Sequence, residues 1–226
     1  MLRIKSHFVV SLLLTISSSA VFAADKTFPV NARLFAGLQT VNPSNLNDTI
    51  TTQSLKKVEN VTQYGVEILF PTFKYLELGA RYTKHLSNND EEPSNTSTDY
   101  FSKIDQDAVM LMARVPFIQT DIFRADVFAG FGGTNTTVTI KNASQDGTLS
   151  KTASEGWFGA PYSAAGVSAA VGFKWIFFTM EAGYEMNKVD GFDRSGNVNS
   201  AINTLDLNGS YFNIGLLFTG VPGSQK

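Results

Sequence analysis

The chain has 226 residues, a formal charge of −2, no cysteine and two histidines. The lack of cysteine excludes a disulfide framework and thiolate chemistry, and the mild acidity argues against a nucleic-acid partner, which needs a basic surface. Charged side chains make up 17% of the chain beside 18 phenylalanines and 18 glycines, so few charges are available to cover a water-facing surface.

The first predicted element is a signal peptide over residues 1–23. Arg3 and Lys5 precede an apolar run over 8–16, and Val21-Phe22-Ala23 gives a small-x-small cleavage pattern. The run is too short to span a bilayer as a helix, and this order of features is that of an export signal. The mature chain is then expected to comprise one domain over 24–218 and a short tail over 219–226.

Eight segments with a period of two follow, at 31–39, 63–70, 76–83, 106–115, 123–132, 165–174, 178–185 and 211–218. A period of two is that of a strand with two unlike faces. In the first, Ala32, Leu34, Ala36 and Leu38 oppose Arg33, Phe35, Gly37 and Gln39. In the fourth, Val109, Leu111, Ala113 and Val115 oppose Gln106, Ala108, Met110, Met112 and Arg114. In the sixth, the alternation carries Ser168 and Lys174 onto the face opposite Val167, Val171 and Phe173. Very short turns near Pro71-Thr72, Gln119-Thr120 and 174–176 alternate with long connections at about 42–60, 87–103, 141–157 and 189–204, rich in Asn, Ser, Thr, Asp and Gly. Short turns at one end and long loops at the other is the layout of a transmembrane β-barrel, whose strands are individually too mixed to register as apolar spans.

Three features put the apolar face outside. The polar face is rich in glycine and poor in charge. Its charges balance, with Arg33, Arg81, Arg114, Arg124 and Lys174 against Glu67, Glu77, Asp126, Glu181 and Glu185, as a narrow interior requires. Aromatic residues also gather beside the short turns: Phe70, Phe73, Tyr75, Phe117, Phe123, Phe173, Trp175, Phe177, Phe178 and Phe218. That is where an interfacial girdle belongs. A sheet in lipid must close on itself to satisfy its backbone, and eight strands leave an interior just wide enough for side chains. The predicted fold is therefore an all-β, eight-stranded, antiparallel up-and-down transmembrane barrel with a plugged or very narrow lumen.

The architecture over about 28–218, together with the final segment Tyr211-Phe212-Asn213-Ile214-Gly215-Leu216-Leu217-Phe218, resembles the small bacterial outer-membrane barrels: the OmpA membrane domain, OmpX and OmpW. The resemblance implies an outer-membrane location, contact with membrane lipid and lipopolysaccharide, a monomer, and Phe218 as the aromatic that the barrel-assembly machinery recognises. In that family the aromatic is usually the last residue, whereas eight residues follow Phe218 here.

No metal site and no cofactor are expected, since the segment after residue 23 holds one histidine and no cysteine, too few ligands for a zinc centre. Gly130-Phe131-Gly132-Gly133 lacks the Lys-Ser/Thr of a phosphate loop. One element invites a catalytic reading. His85 and Ser87 lie two apart on a strand and so share a face, as a nucleophile and its base must. His85-Leu86-Ser87-Asn88 is similar to the His-x-Ser-Asn element of outer-membrane lipid A 3-O-deacylases, which implies an orienting carboxylate from Glu91, Glu92 or Asp99. The same residues also read as an ordinary polar loop start. The function expected of the whole chain is not enzymatic: a structural or surface-interaction role, or a narrow conduit for small or hydrophobic solutes. A soluble calycin-like carrier is the remaining alternative.

Overall fold

A computed structural model describes residues 30–220 apart from 52–54, 74, 91–100, 142–144 and 153–157. The expected signal peptide lies outside the described residues, as does the tail beyond residue 220. The elements run in the order β1 (Asn31–Thr40), α1 (Ser44–Thr51), β2 (Asn60–Phe73), β3 (Leu76–Asp90), β4 (Phe101–Gln119), β5 (Phe123–Lys141), β6 (Asp146–Lys151), β7 (Ala160–Phe173), β8 (Ile176–Asp190), β9 (Asp193–Asn197), β10 (Thr204–Asp206) and β11 (Gly209–Phe218).

Eight of these strands close a ring. β1, β2, β3, β4 and β5 pair in sequence, β5 then pairs with β7, β7 with β8, β8 with β11, and β11 with β1, all antiparallel. The seam runs from Ala32 opposite Phe218 to Gln39 opposite Tyr211. Closure gives every ladder hydrogen bond a partner and leaves no edge within the ring. Pro71 and Pro116 sit near the short-turn end, where the register shifts by a bulge. A bulge tolerates a residue that has no N–H to give the ladder.

Side chains alternate as the period of two requires. Leu34, Leu38, Leu111, Phe131, Val167, Phe178 and Ile214 are exposed on the outer wall, while Arg33, Arg81 and Arg114 are buried inside it. A calycin has the opposite arrangement, with its apolar side chains lining the cavity, so the soluble-carrier alternative is overturned. Seven of the girdle aromatics are exposed: Phe70, Phe73, Tyr75, Phe117, Phe173, Trp175 and Phe178. Phe123 and Phe218 are half-buried. Phe177 is a correction. It points inward and packs with Ala170 and Leu217, because it falls on the opposite phase of β8 from Phe178.

The strands are unequal in height. β1 and β11 have 10 residues each, and β4 and β5 have 19. About 9–11 tilted residues cross a bilayer, so β4 and β5 continue past it. There they change partners: Thr136–Lys141 of β5 pair with β6, β6 pairs with β9, and the last residues of β8 pair with β10. The long connections expected as polar loops therefore carry a helix and three short strands.

Candidate functional site

Three storeys fill the interior. The lowest is ionic. Arg114 reaches Glu67, Asp126 and Glu181, each at 2.5 Å. Arg81 donates to both oxygens of Glu181 at 2.8 Å and also binds Glu67. Arg33 meets Glu181 at 2.7 Å and donates to Ser168. Nearer the short turns, Arg124 grips Glu77 through two bonds of 2.9 and 2.6 Å, and Asn31 donates to the same carboxylate. Such forked pairs from several strands fix geometry as well as charge.

Glycine makes room for this storey. A Cβ on Gly65 would lie 2.7 Å from the Phe35 ring tip, and one on Gly166 would lie 2.7 Å from that of Phe128. The bare backbone lets both rings lie inside the wall. Each ring then faces cations, with the Arg81 guanidinium 4.7 Å from the Phe35 centroid and that of Arg114 4.3 Å from Phe128. These are cation–π distances. The sequence alternation thus becomes a packed layer of arginines, carboxylates and two aromatic rings.

Nine of the ten charges read from the sequence as interior lie inside the barrel: Arg33, Glu67, Glu77, Arg81, Arg114, Arg124, Asp126, Glu181 and Glu185. Lys174 does not. The chain has already turned at that point. Lys174 has φ 58°, is exposed, and sets its ammonium 5.2 Å from the Phe173 ring. A two-residue turn replaces the last step of the predicted alternation.

The middle storey is polar, and its bonds run both across the lumen and between nearby strands. Asn187 of β8 donates to Gln106 of β4 at 2.7 Å, Gln106 donates to Thr136, and Gln63 donates to Asn213. His85 and Ser87 both point into it and are buried. His85 Nε2 lies 3.1 Å from Glu185, a carboxylate that sequence spacing did not suggest. Glu91, Glu92 and Asp99 lie outside the described residues. Among the described residues, Ser87 Oγ and His85 Nδ1 have no hydrogen-bond partner. Of the ten buried side-chain polar atoms in that condition among the described residues, eight belong to this storey: those of Gln63, Thr83, His85, Ser87, Thr134, Tyr162, Asn187 and Asn213.

The upper storey is an apolar cap. Leu46 and Ile50, one helical turn apart on α1, pack with Val41, Leu55 and Val58 from the first long connection. Ile104, Val138, Ile140 and Leu149 enter from β4, β5 and β6, and Ile202, Leu205 and Leu207 from the last connection. Asn47 anchors the helix by exchanging two hydrogen bonds with the backbone of Val58, and Gln39 at the top of β1 donates to the Leu207 carbonyl. These residues were not singled out from the sequence. Their signal is weak: single apolar residues in segments dominated by Asn, Ser and Thr. Among the described residues, no group of three or more His, Cys, Asp or Glu is placed to hold a metal ion.

Neither a protein-family profile nor a curated protein sequence matches the chain. Solved structures do. The outer membrane protein OprG from Pseudomonas aeruginosa is 13% identical over 85% of this chain and 96% of its own, with a TM-score of 0.42. CarO2 of Acinetobacter baumannii is 15% identical over 85% and 98%, with a TM-score of 0.40. Ail, the attachment invasion locus protein of Yersinia pestis, is 11% identical over 84% and 97%, with a TM-score of 0.41. With its closed ring and apolar outer wall, the chain has the fold of a small eight-stranded membrane β-barrel.

Proposed function

We propose that this protein is a monomeric, essentially non-conducting barrel of the bacterial outer membrane whose folded cap is its interaction surface. The observation that carries the reading is the double closure of the lumen, by the ionic storey below and the apolar cap above. A tube filled twice over leaves no continuous water path, and binding is commonly placed on loops held by a rigid scaffold. The long-loop end then faces outward from the cell. The outer wall meets lipid and lipopolysaccharide, and Phe218, the outward-facing last residue of β11, serves the assembly machinery. Planar-bilayer recording tests the reading: conductance near zero is expected, and steady openings of porin size would overturn it. Heat-dependent mobility in SDS, with recovery from the membrane fraction, tests the location.

A second reading, hydrolysis of a lipid A ester by Ser87 and His85, is favoured by the 3.1 Å contact that lets Glu185 orient His85. Against it, both side chains are buried inside the barrel, away from the outer wall where acyl chains lie. Lipid A from cells making Ser87→Ala is expected to match wild type; restored acylation in the variant would favour the enzyme.

A further inference from the structure

Up the outside of β8 the exposed side chains include Phe178, Met180, Tyr184 and Met186, and then Lys188 and Asp190. Lys188 is the first charge above this apolar column, at the height where a membrane gives way to its interface. At the same height the wall changes partners. The ladder between β7 and β8 ends at Tyr162 opposite Asn187, and β8 continues upward beside β10. On the outer face of this step lies a groove of about 280 Å³, lined in part by Phe131, Pro161, Met186 and Lys188. A second hollow of about 200 Å³, on the side of the cap, is lined by Ser44, Asn45, Lys188, Thr204 and Asp206. Lys188 is common to both.

The charges here are unusual. Lys188 and Asp206 are directly opposed in the ladder, and opposite charges in that relation ordinarily meet. Among the described residues neither forms an ion pair. Asp206 instead accepts the Asn208 N–H at 2.9 Å, which orients the carboxylate without neutralising it. Asp190 is exposed on the same face, one step further up, so one cation stands against two carboxylates. A purely anionic group would meet net repulsion. A group that carries both a phosphate and an ammonium finds a partner for each.

We propose that the two hollows form one binding site for an ethanolamine phospholipid of the surrounding membrane, an inference that rests on the reading of the apolar wall as lipid-facing. An acyl chain lies along Phe131, Pro161 and Met186, and the phosphate accepts from the Lys188 ammonium. The ammonium of the lipid donates to Asp206 and to the hydroxyls of Ser44 and Thr204. The position of Lys188 between the hollows matches the order of chain, phosphate and ammonium along such a lipid.

The full chain is refolded in maltoside micelles and its heat-modifiable band is recorded. It is then titrated with dihexanoyl phosphatidylethanolamine and in parallel with dihexanoyl phosphatidylglycerol. NMR follows the backbone amides of Met186, Lys188 and Asp206, with Val66 and Ala80 on β2 and β3, across the ring, as controls. Saturable shifts confined to the β8 side are expected with the ethanolamine lipid. The glycerol lipid is expected to bind about tenfold more weakly, the scale of one charge-assisted hydrogen bond. Asp206→Asn is expected to abolish that preference, and Lys188→Gln to weaken both lipids. Equal affinity for the two lipids, shifts of the same size at Val66 and Ala80, or a preference that survives Asp206→Asn overturns the site. Should Asp206→Asn lose the heat-modifiable band, Lys188→Gln decides, and an unchanged affinity for the ethanolamine lipid overturns the proposal. A wild-type chain without that band would instead overturn the membrane reading beneath it.

Discussion

The ionic storey and the apolar cap fill the same tube by opposite means, and single strands pass through both. On β5, Val127, Ala129 and Phe131 face out while Asp126 faces in; higher up, Val138 and Ile140 face in and Thr137 and Thr139 face out. β8 switches in the same way, with Met180, Tyr184 and Met186 exposed and Val189 buried in the cap. The reason is the solvent outside the wall. Lipid tails are as apolar as leucine, so within the belt apolar burial gives a side chain little preference for the interior, and polar pairing separates inside from outside most sharply. Above the belt the wall meets water, and burial of apolar surface again selects the interior. The height at which the phase reverses marks the margin of the membrane.

Breaking the ionic storey is expected to have the largest effect. Arg114→Leu leaves Glu67, Asp126 and Glu181 short of their shared partner, and removing one member of a buried ionic set costs about 3–5 kcal/mol. The urea midpoint in detergent, with loss of the heat-modifiable band, measures this; an unchanged midpoint would remove the special role of the storey. The cap should fail differently. Ile50→Ala is expected to cost about 2–4 kcal/mol, as for a large-to-small change in a packed core, but locally. Hydrogen exchange should quicken in β6, β9 and β10 while β3 and β11 stay protected, with conductance still near zero because the ionic storey remains. Equal loss of protection throughout would mean that the two storeys are one cooperative unit.

Smaller changes sharpen the contrast. Lys174 holds a left-handed backbone, which costs a residue bearing a Cβ about 1–2 kcal/mol. Lys174→Gly is therefore expected to raise stability by about 1 kcal/mol, less whatever the Phe173 contact contributes; a lower midpoint would show that the contact wins. On the outer wall, Lys84 pairs with Asp105 and with Asp107, the latter at 3.0 Å. Lys84→Ala is expected to change stability by under about 1 kcal/mol, an effect that vanishes at high salt. Salt should leave the Arg114 effect intact, since that set is shielded from solvent.

Much of the barrel is legible in the sequence because one rule, alternation, governs both backbone and burial. Eight segments, three short turns and an apolar outer face all follow from it. The rule also explains the two misplacements. Carried one residue past Phe173, it put Lys174 inside, and proximity to a turn drew the inward-facing Phe177 into the girdle. The cap is harder to see. The pair Leu46 and Ile50 is far in sequence from the pair Ile202 and Leu205, and nothing local says that the two pairs meet. The usable signal was the phase reversal on β5, which the predicted segment at 123–132 stopped short of. His85 had a nearby partner by spacing but has a distant one by fold, since only ring closure brings Glu185 opposite it.

The ionic storey also has a history in time. Glu67, Arg81 and Arg114 belong to consecutive strands and can gather early, but Arg33 on β1 and Glu181 on β8 come together only when β11 is added and the seam closes. A slip of one residue at that seam would turn Arg33 towards lipid and leave Glu181 short of a cation. The ionic set therefore acts as a proofreader of closure: a barrel sealed in the wrong register carries an electrical fault that a correctly sealed one does not.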